Sequence, residues 1–530
     1  MFIKKAKLPV CRAPFGDKAL PLQFCREVCL PRMMPSVTYC VCSMSLHWLS
    51  LITIITYFGL LLLVSWLTGR GGSNDVFFRA GHKSPWYLVA FGMIGASISG
   101  VSFVSVPGYV GLTQMTYLQM CLGFFLGYVV VAYVLLPVYY RRGLTTIYSY
   151  LADRLGQRSR KTGAAFFVLS KLARASASFC LVCMILQQFV FGFLGVPFWL
   201  TVVLLLLLVW LYTRRGGIRT LVYTDTLQTL CMLATLVAVI CIVAHDMHLD
   251  LPGLWQTVSQ DPRSKIFEWG NWQGKQTFWK QFLSGIFIVI VMTGLDQDMM
   301  QKNLTCRDLR SAQKDMCSYG ACFAPVNLLF LVLGILLYQF AASKGILLPA
   351  KTDEVFPSLV SDGYFGYGVT LLFVLGITAA AFSSVDSALT ALTTTLCIDI
   401  LDIDRYQNRA EQMRKRVHIA VVAVFVVATL LFRRFNGTSV LDAIYVMASY
   451  TYGPLLGLFA FGLISKRQPQ ERWIPAVCIA SPLICYALSI TVPRWTGYTF
   501  GYELLILNGL LTYIGLLTLS LKYSKRKIAH

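Results

Sequence analysis

The sequence predicts an all-α polytopic membrane protein of about thirteen transmembrane helices, each long enough to cross a ~30 Å hydrocarbon core. Three observations carry this expectation. Of 530 residues, 56% are hydrophobic and 13% charged, whereas soluble domains carry about 25% charged residues. Mean hydropathy is +0.64. Apolar runs of about twenty residues, the length that spans a bilayer as a helix, recur along the whole chain. Lipid offers backbone N–H and C=O groups no partners, so such runs must be helical.

In chain order the runs fall at 46–67, 85–112, 115–140, 163–193, 197–213, 223–245, 277–298, 313–341, 364–398, 417–433, 438–463, 472–492 and 503–521. An odd number puts the termini on opposite sides. Arg141/Arg142, Arg154/Arg158/Arg160, Arg214/Arg215, Arg414/Lys415/Arg416 and Lys466/Arg467 then share a side with the tail residues Lys522, Lys525, Arg526 and Lys527. The opposite side holds fewer cations, among them Arg263, Lys344 and Arg494, with Arg433/Arg434 against the trend. Retention of Lys and Arg in the cytoplasm makes that first side cytoplasmic. The expectation is a multi-pass protein of the cell membrane, N-terminus outside and C-terminus cytoplasmic. The net charge of +22 is spent in these loop clusters and forms no stripe for nucleic acid, so no nucleic-acid partner is expected.

Residues 1–43 do not fit this scheme. They carry Lys4, Lys5, Lys7, Arg12, Lys18, Arg26 and Arg32 on the expected outer side, with no long apolar run, and Met44 stands just before the first one. No signal-peptide order is present either. They are read as a non-native or disordered N-terminal extension, the competing reading being a genuine unstructured one. Residues 46–521 form a single transmembrane domain and 522–530 a cytoplasmic tail.

The 16 cysteines are scattered, apart from Cys11, Cys25, Cys29, Cys40 and Cys42 ahead of the first run. In apolar segments a free thiol behaves as a small hydrophobe. Neither a disulfide framework nor a Cys/His metal centre is expected. No P-loop, G-x-S-x-G elbow or H-E-x-x-H appears, and the chain is not read as an enzyme.

Three runs are unusual. Gly92 to Phe103, followed by Pro107-Gly108, is rich in small and helix-weakening residues; Ala379 to Ser387 mixes small residues, hydroxyls and a carboxylate; Tyr450 to Gly457 holds Gly and Pro. Small residues let helices pack closely, and Gly/Pro interruptions in corresponding halves also mark broken transporter helices. Both readings stand on composition alone. Sodium is a hard cation that takes oxygen ligands, and Ser383/Ser384 facing a break at 95–98 would supply them; back-bonding to the i−4 carbonyl is the ordinary fate of such a serine. Asp386 costs about 2.5–3.5 kcal/mol at mid-membrane, which points to a cavity or ion pathway. Asp225 reads equally as a helix N-cap. Asp296 and Asp298 read as interfacial, and Lys171 and Arg174 as snorkelling or acid-paired.

Taken in order, these motifs resemble the sodium:solute symporter family, which includes sodium/glucose, sodium/proline and sodium/sialic acid cotransporters. The matching segments are Gly95 to Gly100, Gly143 to Gly156, Gly216 to Gln228, Thr293 to Lys302, Ala379 to Ser387 and Tyr452 to Phe459. The resemblance implies a five-plus-five inverted-repeat, leucine-transporter-like core, with repeats at about 85–245 and 277–463, and alternating access around a midplane site. It implies sodium-coupled import of a small polar organic solute by a monomer or weak homo-oligomer in the lipid bilayer, with sodium as the one ion and no organic cofactor. The alternatives are a proton-coupled carrier using Asp386 or Asp225, and a transporter-like solute sensor. Sodium ligands carried over from the family are Gly95, Ile98, Ala380, Ser383 and Ser384. Asp225, Asp386 and Ser387 match a second cation site used by some members, with Asp386 standing where those members have a hydroxyl. Substrate positions transfer as Ser102, Phe103 and Met292, with Gln119 and Tyr445 as neighbouring polar candidates. Ser102 replaces a sugar-binding glutamine, Met292 a stacking tyrosine and Leu118 a glutamate, which weakens a glucose-like assignment.

Overall fold

The computed structural model describes residues 30–68, 84–270, 272–403, 409–434 and 439–528, with side chains left aside at 30–46, 214–216 and 521–528. The chain divides into two compact units, residues 1–49 and 50–530, and the site lies wholly in the second. Of the expected N-terminal extension, residues 1–29 lie outside the described residues. Residues 30–43 begin a helix, α1 (Leu30–Thr68).

The helices that build the core are α2 (Trp86–Ser97), α3 (Gly100–Thr113), α4 (Tyr117–Val130, continuing as a helix to Arg142), α5 (Gln157–Leu186) and α6 (Phe198–Asp246). The second half comprises α7 (Phe278–Val289), α8 (Gln297–Asn303), α9 (Leu309–Lys344), α10 (Thr352–Ser361), α11 (Gly366–Thr395), α12 (Ala410–Phe432), α13 (Val440–Thr451) and α14 (Gly453–Ile464). Two further helices, α15 (Ile474–Thr496) and α16 (Leu504–Ile528), close the chain, so the expected tail continues the last helix.

Among the described residues, eight helices are long and apolar enough to cross a membrane, or ten if two bent pairs count as spans. Length and composition alone do not confirm the expected count of about thirteen, for a physical reason. Several apolar segments are broken or short: 86–97, 198–213 and 504–520 are apolar helices below 18 residues, and 100–142 joins two expected runs into one.

Each half begins with an interrupted helix. Between α2 and α3, Ile98 leaves the helical region (φ −84°, ψ 85°) and Ser99 is extended (φ −75°, ψ 171°). The Ile98 N–H still reaches the Ile94 carbonyl at 2.9 Å, but the ladder ends there and the following carbonyls lose their helical donors. The segment 278–294 and α8 meet at 68°. In corresponding positions of two halves, such breaks are the mark of an inverted-repeat transporter. A third break lies within α6 at Gly217, whose φ of 49° and ψ of −136° is a conformation open to glycine and strained for other residues.

Packing is close where glycines face each other. α4 lies against α7, and a methyl group at Gly285 would strike the backbone carbonyl of Met120, while one at Gly123 would strike that of Phe282. A carbonyl cannot rotate aside as a side chain can, so Gly285→Ala is expected to destabilise by about 1–3 kcal/mol, the usual range for overpacking. A lower midpoint of thermal unfolding in detergent would register this, and an unchanged one would mean that the helices separate freely. Where α9 emerges, Asp308 caps it by accepting the Ser311 N–H at 2.8 Å. That backbone hydrogen bond holds the Asp308 carboxyl below the usual carboxylate range.

Candidate ion and solute site

α11 is the spine of the site. It packs against α6, α5 and α2, and its residues Thr378 to Thr395 are buried almost without exception. Burial on all sides suits its run of Ala, Ser and Thr, whose small side chains allow close approach. The serine pair divides its partners. Ser384 Oγ lies 3.3 Å from the Ala96 carbonyl at the α2 break and 3.3 Å from the Ala380 carbonyl on its own helix. Ser383 Oγ donates to Asp225 Oδ1 at 2.8 Å. The structure therefore brings Ser384 and the Ala380 carbonyl to the interrupted end of α2, while Ser383 turns to Asp225. Gly95 and Ile98 belong to that end, Gly95 packed so tightly on Thr229 that a methyl group would collide with its hydroxyl.

Asp225 is no helix cap. The lower arm of α6 starts at the Gly217 break, so Asp225 sits two turns inside it, fully buried. Its Oδ2 lies 2.7 Å from Lys302 Nζ. Asp386 has turned elsewhere: Tyr212 donates to its Oδ2 at 2.7 Å and Ser387 to its Oδ1 at 3.2 Å. Asp225 and Asp386, paired in the sequence reading with Ser387, thus hold different partners.

A chain of buried ion pairs runs on from Lys302. Its ammonium lies 3.9 Å from Asp298 Oδ1, and Asp298 Oδ2 binds Lys171. Lys171 lies 3.5 Å from Asp296. Asp296 also accepts Arg174 Nη2 at 2.9 Å, the Tyr452 hydroxyl at 2.8 Å and the Asp298 N–H at 2.9 Å. Asp296 and Asp298 are therefore core groups of the bundle, not interfacial ones, and Lys171 and Arg174 pair with acids instead of snorkelling. The α7–α8 bend makes this possible: Asp296 is the extended residue before α8 (φ −103°, ψ 118°).

One end of this chain opens into a cavity of about 70 Å³. The broken helix contributes Ser97, Ser99 and Ser102; α5 contributes Lys171 and Arg174; the bent pair contributes Met292 and Asp298; Ser384 and Tyr445 complete the wall. Ser102, Met292 and Tyr445 are sequence-expected solute contacts that meet here. Phe103 does not join them: it is fully buried among Phe330, Phe356 and Phe373, with ring centroids 5.7–6.0 Å away. Gln119 also lies apart, donating to the Gln276 carbonyl at 3.0 Å and accepting the Glu268 N–H at 3.1 Å. Above the cavity the Tyr445 and Tyr117 hydroxyls meet at 2.9 Å. Lys171, Arg174 and Asp298 are cavity groups that sequence reasoning left unassigned; their signal was charge within apolar helices.

The model of the sodium:solute symporter family matches residues 77–471. The chain belongs to the sodium:solute symporter family. The sodium/sialic acid symporter NanT of Aliivibrio fischeri is 22% identical over 88% of this chain and 92% of its own length. The human sodium/iodide cotransporter is 26% identical, covering 77% of this chain and 65% of that protein. Among solved structures, the substrate-bound outward-open state of a Na+-coupled sialic acid symporter superposes with a TM-score of 0.75 at 21% identity, covering 88% of this chain and 96% of that one. The inward-facing conformation of Mhp1 matches with a TM-score of 0.51 at 14% identity, over 83% and 91%. These likenesses agree with the breaks in α2/α3 and α7/α8: the symporter has the five-plus-five inverted-repeat fold. It is a multi-pass membrane transporter and not an enzyme, and it moves a small solute together with sodium.

Proposed function

We propose that this symporter imports an organic anion, with sodium held by the carbonyls of Gly95, Ile98 and Ala380 and the hydroxyls of Ser383 and Ser384. The observation that carries the reading is the position of Ser384, whose hydroxyl touches the Ala96 carbonyl at the helix break, touches the Ala380 carbonyl, and lines the solute cavity. The Gly95 and Ile98 carbonyls at the helix break and the Ala380 carbonyl of α11, beside two hydroxyls, suit a hard monovalent cation. A sodium ion there would draw the two arms of the broken helix toward α11 and shape the cavity wall at Ser97, Ser99 and Ser102. Each ligand then raises the other's affinity, which is what coupling requires.

The anionic solute is supported by Lys171 and Arg174, both of which line the cavity. Arg174 spends Nη2 on Asp296, and its buried Nε has no hydrogen-bond partner among the described residues. A carboxylate matches a guanidinium edge well. Sialic acid, iodide and monocarboxylates, the solutes in the names of several relatives, are anions too. Phe103 and Gln119 would act at a distance, as packing and outer-rim groups. The protein acts in the cell membrane with its C-terminus cytoplasmic and its N-terminus outside, as a monomer or weak homo-oligomer without an organic cofactor.

Thermal unfolding of the purified protein against a library of sugars, neutral amino acids and organic anions, with and without sodium, tests the reading. A ligand that binds only the folded state raises stability by about 2.7 kcal/mol at a hundred times its Kd. An organic anion should stabilise in sodium and not in choline, and Arg174→Gln should remove the response. Stabilisation by a neutral sugar that Arg174→Gln leaves intact would reject the anion.

A further inference from the structure

Lys302 is a buried cation with no role in the reading above. It belongs to the short arm α8, its side chain 2% exposed. Its ammonium lies 2.7 Å from Asp225 Oδ2 and 3.9 Å from Asp298 Oδ1, while Asp225 Oδ1 takes the Ser383 hydroxyl. A fully buried carboxylate beside the hydroxyl of Ser383, which the proposed sodium site also uses, has the donor chemistry of a second monovalent-cation site. The second site matched in the sequence, Asp225 with Asp386 and Ser387, does not fit a sodium ion in this structure. Asp225 already faces a positive charge, and both oxygens of Asp386 receive hydroxyl donors, from Tyr212 and Ser387. A sodium ion on Asp225 would sit beside the Lys302 ammonium, both groups fully buried, so the two positive charges would repel in a low-dielectric interior.

We propose that Lys302 is a tethered cation occupying the place of a second sodium ion, so that this symporter binds one sodium ion per protein. The bend of 68° between 278–294 and α8 delivers the lysine there, because a straight helix would carry α8 away from α6. An ammonium differs from a bound ion in two ways. It cannot leave during the cycle, so its charge adds nothing to the driving force. It is also shared with Asp298, which lines the solute cavity, so it links Asp225 to the cavity wall.

The inference rests on the sodium site proposed above, and sodium alone serves as the probe. Equilibrium binding of radioactive sodium to the purified full chain should give one ion per protein in the wild type and in Lys302→Arg. Lys302→Ala vacates Asp225 and should bind two, the second with its own midpoint. Ser384→Ala should shift the wild-type midpoint at least tenfold. Two ions in the wild type would overturn the proposal, as would one ion with an unchanged midpoint in Lys302→Ala. Should Lys302→Ala not fold, the wild-type stoichiometry still decides. Failure of the sodium site itself has a different signature: no binding in the wild type, or binding that Ser384→Ala leaves unaltered.

Discussion

Ser384→Ala is expected to raise the sodium concentration that half-maximally stabilises the protein by about one to two orders of magnitude, while leaving its sodium-free stability almost unchanged. The Ser384 hydroxyl lies 3.3 Å from two carbonyls, long contacts that contribute little to the fold. A hydrogen-bonding group on a charged partner is worth about 1.5–3 kcal/mol, and each 1.4 kcal/mol is tenfold in affinity. Ser383→Ala should behave differently. Its hydroxyl donates to Asp225 at 2.8 Å, so removal takes a proposed sodium ligand and also leaves a buried carboxylate oxygen short of a donor, a penalty of about 1–3 kcal/mol. The first variant should lose sodium response alone, and the second should lose both response and stability. A sodium titration of the unfolding midpoint measures both quantities in one experiment. An unchanged titration midpoint in Ser384→Ala would remove that serine from the ion site.

What the sequence disclosed follows from the range of each interaction. Adjacent hydroxyls in an apolar helix and a Gly/Ser-rich interruption are local signals; Ser384 does lie against the Ala96 carbonyl at the break, while Ser383 bonds Asp225. The same local reading treated Ser102 and Phe103 as a pair facing solute. Successive residues on a helix point about 100° apart, and only Ser102 reaches the cavity; Phe103 fills an aromatic cluster instead. Asp225 read as much like a cap as like an ion-pathway carboxylate because the apolar run resumes at Tyr223, whereas the helix starts earlier, at Gly217. Length and hydropathy alone do not confirm the number of crossings, because breaks leave some arms short and the stretch 100–142 runs through the non-helical Gln114. The charged groups were visible, but their pairing was not. Lys171 and Arg174 find Asp296 across 125 and 122 residues of sequence, through a helix bend that no periodicity encodes.

That pairing makes Asp296 the residue whose loss should cost the fold most. It is fully buried and serves four donors: Lys171, Arg174, Tyr452 and the N–H of Asp298 that starts α8. Asp296→Ala leaves cations in a low-dielectric interior with fewer counter-charges, which costs about 3–5 kcal/mol for a broken buried pair. The two cations should not suffer equally. Lys171 keeps Asp298, while the ion pair of Arg174 is with Asp296. Hence Asp296→Asn combined with Arg174→Gln should be more stable than the sum of the single losses, since removing the stranded guanidinium relieves its desolvation. Asp296→Asn with Lys171→Met should recover less, because that second change strands Asp298. Unfolding midpoints of the five variants close two double-mutant cycles, which isolate the coupling from the separate effects. Equal recovery in both cycles would mean that the carboxylates exchange partners freely, and the ordered chain from Asp225 through Lys302 and Asp298 to Arg174 would then not exist as a fixed structure.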